Sequence, residues 1–448
     1  MEIGMKDFFI DSISLSNYRK FENTTFHLNP GINVFIGKNA SGKTSVLEAV
    51  SVMLGAYLAA FKEYVPSRFV QNLSDADVRR KNNKFSKMLA TPHGVPQFPC
   101  SINCVMKWDD KRIPFQRILE KEGSRTKFAG KNPMQQIVNA WENLIKAADG
   151  SDEKLVLPLV LYLSSARLWN ENRVEKMSKI PNRTDAYQRC LDRKRSSQTG
   201  FDYIRLLANL AMEENEGKPF DAYEIIMNAL RESFAGELEE GEQIIHSSRI
   251  GEIGIRQEDG TVIEFSALSD GYRNVIKIVT DIATRMCILN PYLGADALRL
   301  TPGVVIIDEL DLSLHPTWQR RIVRILKTMF PQVQFICATH SPFIIQSLEQ
   351  GELIALDNDI EEPYSGESIE DIAEKIMDVP TAKYSEKKEA MYRAAEEYFK
   401  ALNDNISQER MDELKERLDV LSAEYNDNPA YTAYMKLQYL EKKAETEE

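Results

Sequence analysis

Hydrophobic and polar positions in the first 60 residues predict two strands, a third strand and a helix. Phe8 to Leu15 and Thr24 to Leu28 are short alternating segments on either side of a polar turn at Asn17 to Lys20. Ile32 to Ile36 is apolar except at Asn33 and is typical of a buried strand, and Val46 to Ala59 repeats apolar residues at helical spacing. The residues between this strand and this helix are therefore predicted to form a glycine-containing loop.

The rest of the chain predicts a second group of strands and two helical regions. Asp109-Asp110 and Asp259-Gly260 lie between alternating segments and predict hairpins. The segment from Arg173 to Glu242 is polar and helix-like, and strand signals fade after Ile345. The further buried strands are predicted at Leu155 to Leu163, Val304 to Ile307 and Gln334 to Ala338.

These elements predict an α/β fold with a mixed sheet, an inserted helical lid or arm, and a C-terminal helical appendage. Two apolar helix faces are predicted in the appendage, and we expect a partner surface or the head to cover them. They consist of Ala390, Met391, Ala394, Ala395, Tyr398, Phe399 and Leu402, and of Met411, Leu414, Leu418 and Leu421. The expected regions are 1–172 and 243–348 for the two halves of the head, 173–242 for the insertion, and 349–448 for the acidic tail.

Charge and cysteine usage narrow the class of protein. The net charge is −12, but Gly351 to Glu448 holds 26 acidic and 12 basic residues, so the first 350 residues are close to neutral. This distribution argues against nucleic-acid contact by the tail and leaves contact by the head open, at Arg79 to Lys81 or at Arg189 and Arg193 to Arg195. Five scattered cysteines and short apolar runs predict a cytoplasmic protein without disulfides or membrane spans.

The loop after Ile36 fits G-x-x-x-x-G-K-[ST], the phosphate-binding P-loop, in the strand-to-helix context that this pattern requires. Its backbone N–H groups and the helix N-terminus attract phosphates, and the Lys43 ammonium can reach the β- and γ-phosphates. The predicted cofactors are ATP and Mg²⁺. The predicted ATP-binding residues here are Gly37, Lys38, Asn39, Ala40, Ser41, Gly42, Lys43, Thr44 and Ser45.

An apolar strand that ends in two carboxylates supplies the second half of a nucleotide site. Asp308 follows Ile307 directly, and we predict that it holds Mg²⁺ together with the Thr44 hydroxyl. Glu309 is the predicted catalytic residue that polarises the attacking water. The alternative is an ordinary strand with an acidic end.

Two further motifs follow the same order as in ATP-binding cassettes. Leu268 to Arg273, LSDGYR, resembles the LSGGQ signature of that family, in which a serine hydroxyl and a glycine N–H form a second phosphate cradle. This resemblance implies that Ser269 and Gly271 bind ATP held by another copy of the chain. His340, at the end of a predicted strand, resembles the family's switch histidine and is the second predicted catalytic residue.

The four motifs together resemble the head domains of SMC, RecF and OLD-type ATPases, as does the opening segment Ile13 to Phe21. Two departures stand out. Ala40 lies where many relatives have glycine, and His315 lies where transporter cassettes have the D-loop aspartate. The run from Asp308 to Pro316, DELDLSLHP, resembles the OLD-like branch instead. Gln116 is a candidate for the Q-loop, although it falls in a predicted hairpin.

Dispersed segments resemble the PtuA ATPases of Septu and retron-associated antiphage systems more closely. They include Val160 to Trp169, Tyr187 to Asp192, Leu268 to Asn274 and Thr339 to Leu348. The resemblance implies an ATPase that senses or gates a partner HNH nuclease, PtuB-like, with a retron reverse transcriptase or DNA as further partners. The alternatives are a RecF-like repair ATPase that binds DNA directly and a subunit serving another nuclease, as in PARIS systems.

Overall fold

The strand, loop and helix predicted at the start of the chain are confirmed in a computed structural model. β3 spans Ile32–Ile36, and α1 spans Lys43–Leu58. Every residue of β3 is buried, because strands on both sides and a helix cover it. The structure describes residues 7–61, 65–81, 94–130, 155–168, 179–193, 199–214, 220–247, 252–357, 364–379, 385–403 and 408–422.

A five-stranded parallel sheet carries the P-loop strand. Its order is β15-β3-β14-β13-β9, and every neighbouring pair is parallel. The predicted buried strands are confirmed, but β15 follows Ile345 and was missed, since three residues are too few for a recognisable pattern. The head therefore extends past residue 348. The remaining strands of this sheet are β9 (Leu159–Leu163), β13 (Gly303–Ile307), β14 (Val333–Ala338) and β15 (Leu353–Ala355).

A second five-stranded sheet is antiparallel and has the order β2-β1-β6-β7-β8. Trp108 pairs with Lys111 across the predicted Asp109-Asp110 turn, so that hairpin is confirmed. The α/β class is thus confirmed, with its parallel and antiparallel strands in different sheets. The strands are β1 (Phe8–Tyr18), β2 (Phe21–His27), β6 (Cys100–Trp108), β7 (Lys111–Leu119) and β8 (Lys127–Phe128).

Two smaller antiparallel sheets contain the remaining strands of the described residues. β4 (Arg80–Lys81) pairs with β5 (Val95–Pro96). β10 (Gln243–Ser247), β11 (Glu252–Arg256) and β12 (Val262–Glu264) form an antiparallel sheet, and the turn between β11 and β12 contains the predicted Asp259-Gly260 hairpin.

Helices pack around the long helix α4, which spans Asp270–Leu289. The helices α2 and α3 belong to the predicted insertion and pack against α4 in the described part of that segment. In the described part of the head, the helices besides α1 and α4 are α2 (Thr199–Glu214), α3 (Asp221–Ser233), α5 (Ala297–Leu300), α6 (Pro316–Met329) and α7 (Pro342–Gln346).

The chain divides into two units, Met1–Gly366, which we call the head, and Glu367–Glu448, which we call the tail. In the tail, a short helix α8 (Ile369–Asp371) continues as a π-helix over Ile372–Ile376. The helices α9 (Glu386–Asn403) and α10 (Gln408–Ser422) follow.

The two predicted apolar faces of the tail cover each other. Tyr398 and Ala394 of α9 and Leu414 and Leu418 of α10 are buried in one cluster, with Met411 against it. The expectation that the head or a partner must cover both faces was therefore wrong, because a helical hairpin supplies the missing surface itself. The predicted face residues Phe399 and Leu402 have side chains outside the described set.

Two expectations about the class of protein can be compared with the described residues. All five cysteines are free and buried, as expected of small core residues rather than disulfides. Within the described ranges, no helix has the length and apolar character needed to cross a membrane.

Candidate functional site

The loop between β3 and α1 turns tightly through backbone conformations that favour glycine. Gly37 has a φ of 152° and Gly42 a φ of 100°. Ala40 also has a positive φ, 64°, a conformation that glycine adopts without strain and alanine does not. The side chains of Lys38 and Asn39 are exposed on this loop, so they do not anchor it through burial.

Lys43 begins α1 and folds back over the loop. Its Nζ donates to the carbonyl oxygens of Gly37 at 2.6 Å and Lys38 at 3.1 Å. Burial lowers the pKa of Lys43, while the carboxylates of Asp357, Asp308 and Asp311 act in the opposite direction. The ammonium therefore lies within electrostatic reach of all three acids.

The hydroxyl groups in the loop and at the start of α1 have different surroundings. The Ser41 hydroxyl is buried, and among the described residues it has no hydrogen-bond partner. The Thr44 hydroxyl lies 3.2 Å and 3.4 Å from the two carboxylate oxygens of Asp308. The Ser45 hydroxyl instead accepts a hydrogen bond from Arg19 Nη1 at 3.3 Å. Ser41 and Thr44 are thus available to a ligand, whereas Ser45 is engaged within the chain.

The paired carboxylates differ in exposure. Asp308 is 6% exposed at the end of β13, and burial raises its pKa, while the hydrogen bond from Thr44 acts to lower it. Glu309 is exposed, and its φ of 49° places a non-glycine residue in the left-handed region. This backbone turn directs the two successive side chains into different surroundings.

His340 is exposed just beyond β14, within electrostatic reach of Lys43 and Glu309. Burial and the Lys43 charge lower its pKa, while Asp311 and Glu309 act to raise it. Asp311 also fixes the backbone here, because its Oδ1 accepts from Thr339 Oγ1 at 2.5 Å and from the His340 N–H at 3.2 Å. The predicted switch histidine thus lies beside the P-loop and the acidic pair.

The predicted signature residues lie at the start of α4. Ser269 is the exposed N-cap, and its hydroxyl accepts from the Tyr272 N–H at 3.4 Å. Gly271 is buried, and a Cβ atom added there would lie 2.9 Å from the carbonyl oxygen of Ser313. Gly271 is therefore needed for close packing within the chain.

Several residues at this site carry no signal that a motif search would find. Asp357 lies two residues beyond β15, and its Oδ2 accepts from the Lys38 N–H at 2.6 Å. Lys20 lies 3.9 Å from Asp357, and its side chain packs beside Gly42. The resemblance of Ile13 to Phe21 to other ATPase heads pointed to the turn that holds Lys20, but the sequence assigned no role to it.

Two residues discussed from the sequence have other positions. Gln116 lies within β7 of the antiparallel sheet, away from the carboxyl ends of the parallel strands. His315 is the N-cap of α6, where its Nδ1 lies 2.7 Å from Thr317 Oγ1. His315 thus has a local structural contact at the position where transporter cassettes have an aspartate.

The chain is similar to proteins of known families. The chain is 24% identical over 391 residues to a retron Vc95 probable ATPase of Vibrio cholerae serotype O1 biovar El Tor, covering 76% of this chain and 72% of that protein. It is 27% identical over 233 residues to a Septu protein PtuA of Bacillus thuringiensis, covering 49% of this chain and 54% of the relative. The chain thus spans about half the length of that PtuA.

Among solved structures, the SMC head domain from Thermotoga maritima aligns with 77% of this chain and 94% of its own, at 13% identity and a TM-score of 0.43. A family described as an AAA domain matches residues 12–277, which include the P-loop and the LSDGYR segment. Since the match covers more than half of the sequence, the chain belongs to this AAA-domain family and is an ATPase.

Proposed function

We propose that the chain binds ATP with Mg²⁺ at the P-loop, that two copies of the head enclose the nucleotide, and that hydrolysis regulates a partner nuclease in antiphage defence. The observation that carries the first part is the contact between the Thr44 hydroxyl and the Asp308 carboxylate. Both are hard oxygen donors, and Mg²⁺ in nucleotide sites is held by one or two such protein groups together with phosphates and water.

The residues present also fit ATP. The buried Ser41 hydroxyl lacks a partner in the described structure, and Lys43 holds only two neutral carbonyl oxygens that a phosphate can replace. When bound, Mg²⁺ would neutralise developing charge on the phosphates. Lys43 binds the β- and γ-phosphates, Glu309 orients the water and accepts its proton, and His340 donates toward the γ-phosphate.

The direct test compares Lys43→Ala and Glu309→Gln with the unmodified protein. Lys43→Ala should abolish ATP binding in a calorimetric titration, because it removes the cation that faces the phosphates. Glu309→Gln should retain ATP binding and lose most hydrolysis, since an amide cannot accept the proton. The matched control is Glu258→Gln, an exposed carboxylate in the β11–β12 turn. Hydrolysis at the unmodified rate by Glu309→Gln would assign the base elsewhere.

The enclosure of ATP by two copies is supported by the exposed Ser269 at the N-terminus of a 20-residue helix. A charged residue at Gly271 is a poor test, because it would collide with Ser313 in its own chain. Ser269→Glu instead places a carboxylate where the second copy's γ-phosphate is proposed to bind. This variant should bind ATP and fail to hydrolyse it.

Mixing Ser269→Glu with Lys43→Ala provides the sharper experiment. Each mixed pair keeps one composite site, formed by the intact P-loop of one copy and the intact Ser269 of the other. Hydrolysis should therefore return in part on mixing. If Ser269→Glu alone remains fully active, Ser269 does not contribute to hydrolysis and the nucleotide is bound within a single copy.

The nuclease partner is proposed from the resemblance to Septu and retron-associated ATPases, and the similarity to a retron probable ATPase and a Septu protein PtuA supports that resemblance. Deletion of Glu367–Glu448 tests it, because the net-acidic tail is a separate unit and repels nucleic acid. Co-purification with an HNH nuclease encoded beside this chain should be lost, while ATP binding persists. Retained association would place the partner on the head.

Direct DNA binding, as in a RecF-like role, has less support than the nuclease-partner proposal, because the basic runs of the head form ion pairs within the chain. Arg79 pairs with Glu22 at 2.9 Å, and Arg193 pairs with Glu48. The two basic runs are therefore partly neutralised within the chain, while Lys194 and Arg195 lie outside the described residues. Salt-dependent binding of duplex DNA by the purified head would favour the RecF-like alternative.

A further inference from the structure

One arginine is completely buried beneath the acidic pair. Arg167 lies in a short 3-10 helix, Ser165–Leu168, just beyond β9, and its side chain is 0% exposed. Because β9 and β13 are parallel neighbours, their carboxyl ends lie side by side, and Arg167 lies next to Asp308. The sequence reasoning assigned no role to this residue.

The guanidinium of Arg167 hydrogen-bonds to the main chain that bears the two carboxylates. Nη1 donates to the Asp308 carbonyl oxygen at 2.6 Å and to the Ser164 carbonyl oxygen at 3.1 Å. Nη2 donates to the Glu309 carbonyl oxygen at 2.7 Å. Glu309 has the left-handed φ of 49°, which costs about 1 kcal/mol for a residue with a side chain. Arg167 therefore holds the peptide at which this unfavourable turn is made.

The same guanidinium also contacts the helix that begins with the signature residues. Its Nε donates to Asn274 Oδ1 at 2.7 Å, and Asn274 Nδ2 donates to the Leu312 carbonyl oxygen at 2.7 Å. Asn274 is itself 0% exposed and lies three residues after Gly271 on α4. One buried amide thus joins α4 both to Arg167 and to the chain beyond Glu309.

Folding stability alone does not explain an arginine here. Its hydrogen-bond acceptors named above are three carbonyl oxygens and one amide oxygen, all neutral. Burial lowers its pKa to about 10, although the nearby charges of Asp308, Glu309 and Asp311 act to raise it. Burial therefore costs more than these charges recover, and an apolar side chain of similar size often serves a core equally well. What the arginine supplies is a planar set of donors with fixed directions.

We propose that Arg167 is a positioning residue for ATP hydrolysis, which sets the main chain of Asp308 and Glu309 and links it through Asn274 to the helix that begins at Ser269. The inference rests on the proposed hydrolysis site. A ligand that displaces the start of α4 would move Asn274, and Arg167 would transmit that displacement to Glu309. Hydrolysis would then depend on occupation of the Ser269 cradle.

The test compares Arg167→Met with a matched control, Arg117→Met. Arg117 is also buried, at 3% exposure, donates to the carbonyl oxygens of Val52 and Gln71, and has a pKa lowered by burial to about 10. It lies in β7 of the antiparallel sheet, so its loss reports the general effect of removing a buried arginine. The readouts are kcat and KM for ATP, the calorimetric Kd for ATP, and Tm.

Arg167→Met should lower kcat by about tenfold to a hundredfold, because small misplacements of a catalytic group have effects of this size, while Kd for ATP changes by less than about threefold. Arg117→Met should lower Tm and leave kcat within about twofold at a temperature where it is folded. In the nucleotide-free proteins, amide hydrogen exchange of a peptide covering residues 308–314 should accelerate in Arg167→Met alone.

Asn274→Ala keeps the test decisive if Arg167→Met does not fold. It should lower kcat without weakening ATP binding, and its control is Asn290→Ala, another fully buried asparagine, which bonds the Leu157 main chain. In a double variant, the losses from Arg167→Met and Asn274→Ala should be less than additive. Equal kcat losses in the variants and their controls, or full additivity, would overturn the proposal. Failure of Lys43→Ala and Glu309→Gln to affect hydrolysis would instead overturn the proposed function.

Discussion

Asp311 is predicted to control the alignment of His340. Its Oδ1 accepts both the Thr339 hydroxyl at 2.5 Å and the His340 N–H at 3.2 Å, so one carboxylate oxygen fixes the end of β14. Hydrogen bonds to charged groups contribute about 1.5–3 kcal/mol each, compared with about 1 kcal/mol for neutral ones. Asp311→Asn retains an acceptor and should lose at least about 1 kcal/mol, whereas Asp311→Ala loses both bonds and about 3–6 kcal/mol.

These energies convert to rates if the bonds maintain the reactive position of His340. A loss of about 1 kcal/mol corresponds to roughly fivefold in kcat, and a loss of about 3–6 kcal/mol to roughly 150-fold or more. KM should not rise, because removal of the Asp311 charge also removes an anion that interacts with Lys43. Steady-state ATP hydrolysis assays measure kcat and KM, and Tm is measured in parallel to detect any loss of stability.

The control is Asp75→Asn, since Asp75 also accepts a main-chain N–H, that of Gly123, at 3.1–3.2 Å. Combining Asp311→Asn with His340→Ala should give no further loss beyond His340→Ala. If Asp311→Ala lowers Tm but leaves kcat unchanged, the alignment of His340 does not limit hydrolysis and the reasoning is wrong.

Three further changes probe the loop, its acidic neighbour and the tail. Ala40→Gly should raise the free energy of unfolding by about 0.5–1 kcal/mol, measured by denaturant titration, because alanine is strained at a φ of 64°. Asp357→Asn should tighten ATP binding roughly fivefold in calorimetry, since about 1 kcal/mol of repulsion between the carboxylate and the phosphates is removed. Weaker binding would mean that Asp357 assists the nucleotide. Leu414→Ala should destabilise the tail hairpin by about 2–3 kcal/mol and accelerate its proteolysis without changing ATP binding, whereas Val420→Ala, at an exposed position, should do neither.

The sequence was informative where a function depends on a short stretch of chain. The P-loop strand, its helix and the strand ending at Ile307 are local patterns, and each was confirmed within a few residues. Arg167 and Asp357 were not recognised, because the contacts that link them to the site are distant in sequence: Arg167 bonds Asn274 107 residues away, and Asp357 bonds Lys38 319 residues away. Single-residue contacts over such separations leave no periodic pattern to read.

The close packing of Gly271 illustrates a second limit. The signature resemblance assigned this glycine to nucleotide contact. In the structure, the Ser313 carbonyl oxygen of the same chain lies so close that a side chain at position 271 would collide with it. Likewise, the two tail faces were each recognised, but their pairing depends on a hairpin that brings α9 and α10 together. A pattern identifies an apolar surface and leaves its partner open.

The position of β3 in the parallel sheet has a consequence for synthesis of the protein. β3 ends at residue 36, and its neighbours β14 and β15 end at residues 338 and 355. Roughly 300 residues must therefore leave the ribosome before the P-loop strand can pair, which takes about 15–60 s at 5–20 residues per second. During this interval the largely apolar segment INVFI has neither of its native strand partners, which favours chaperone binding to the nascent chain and exposes truncated products to aggregation.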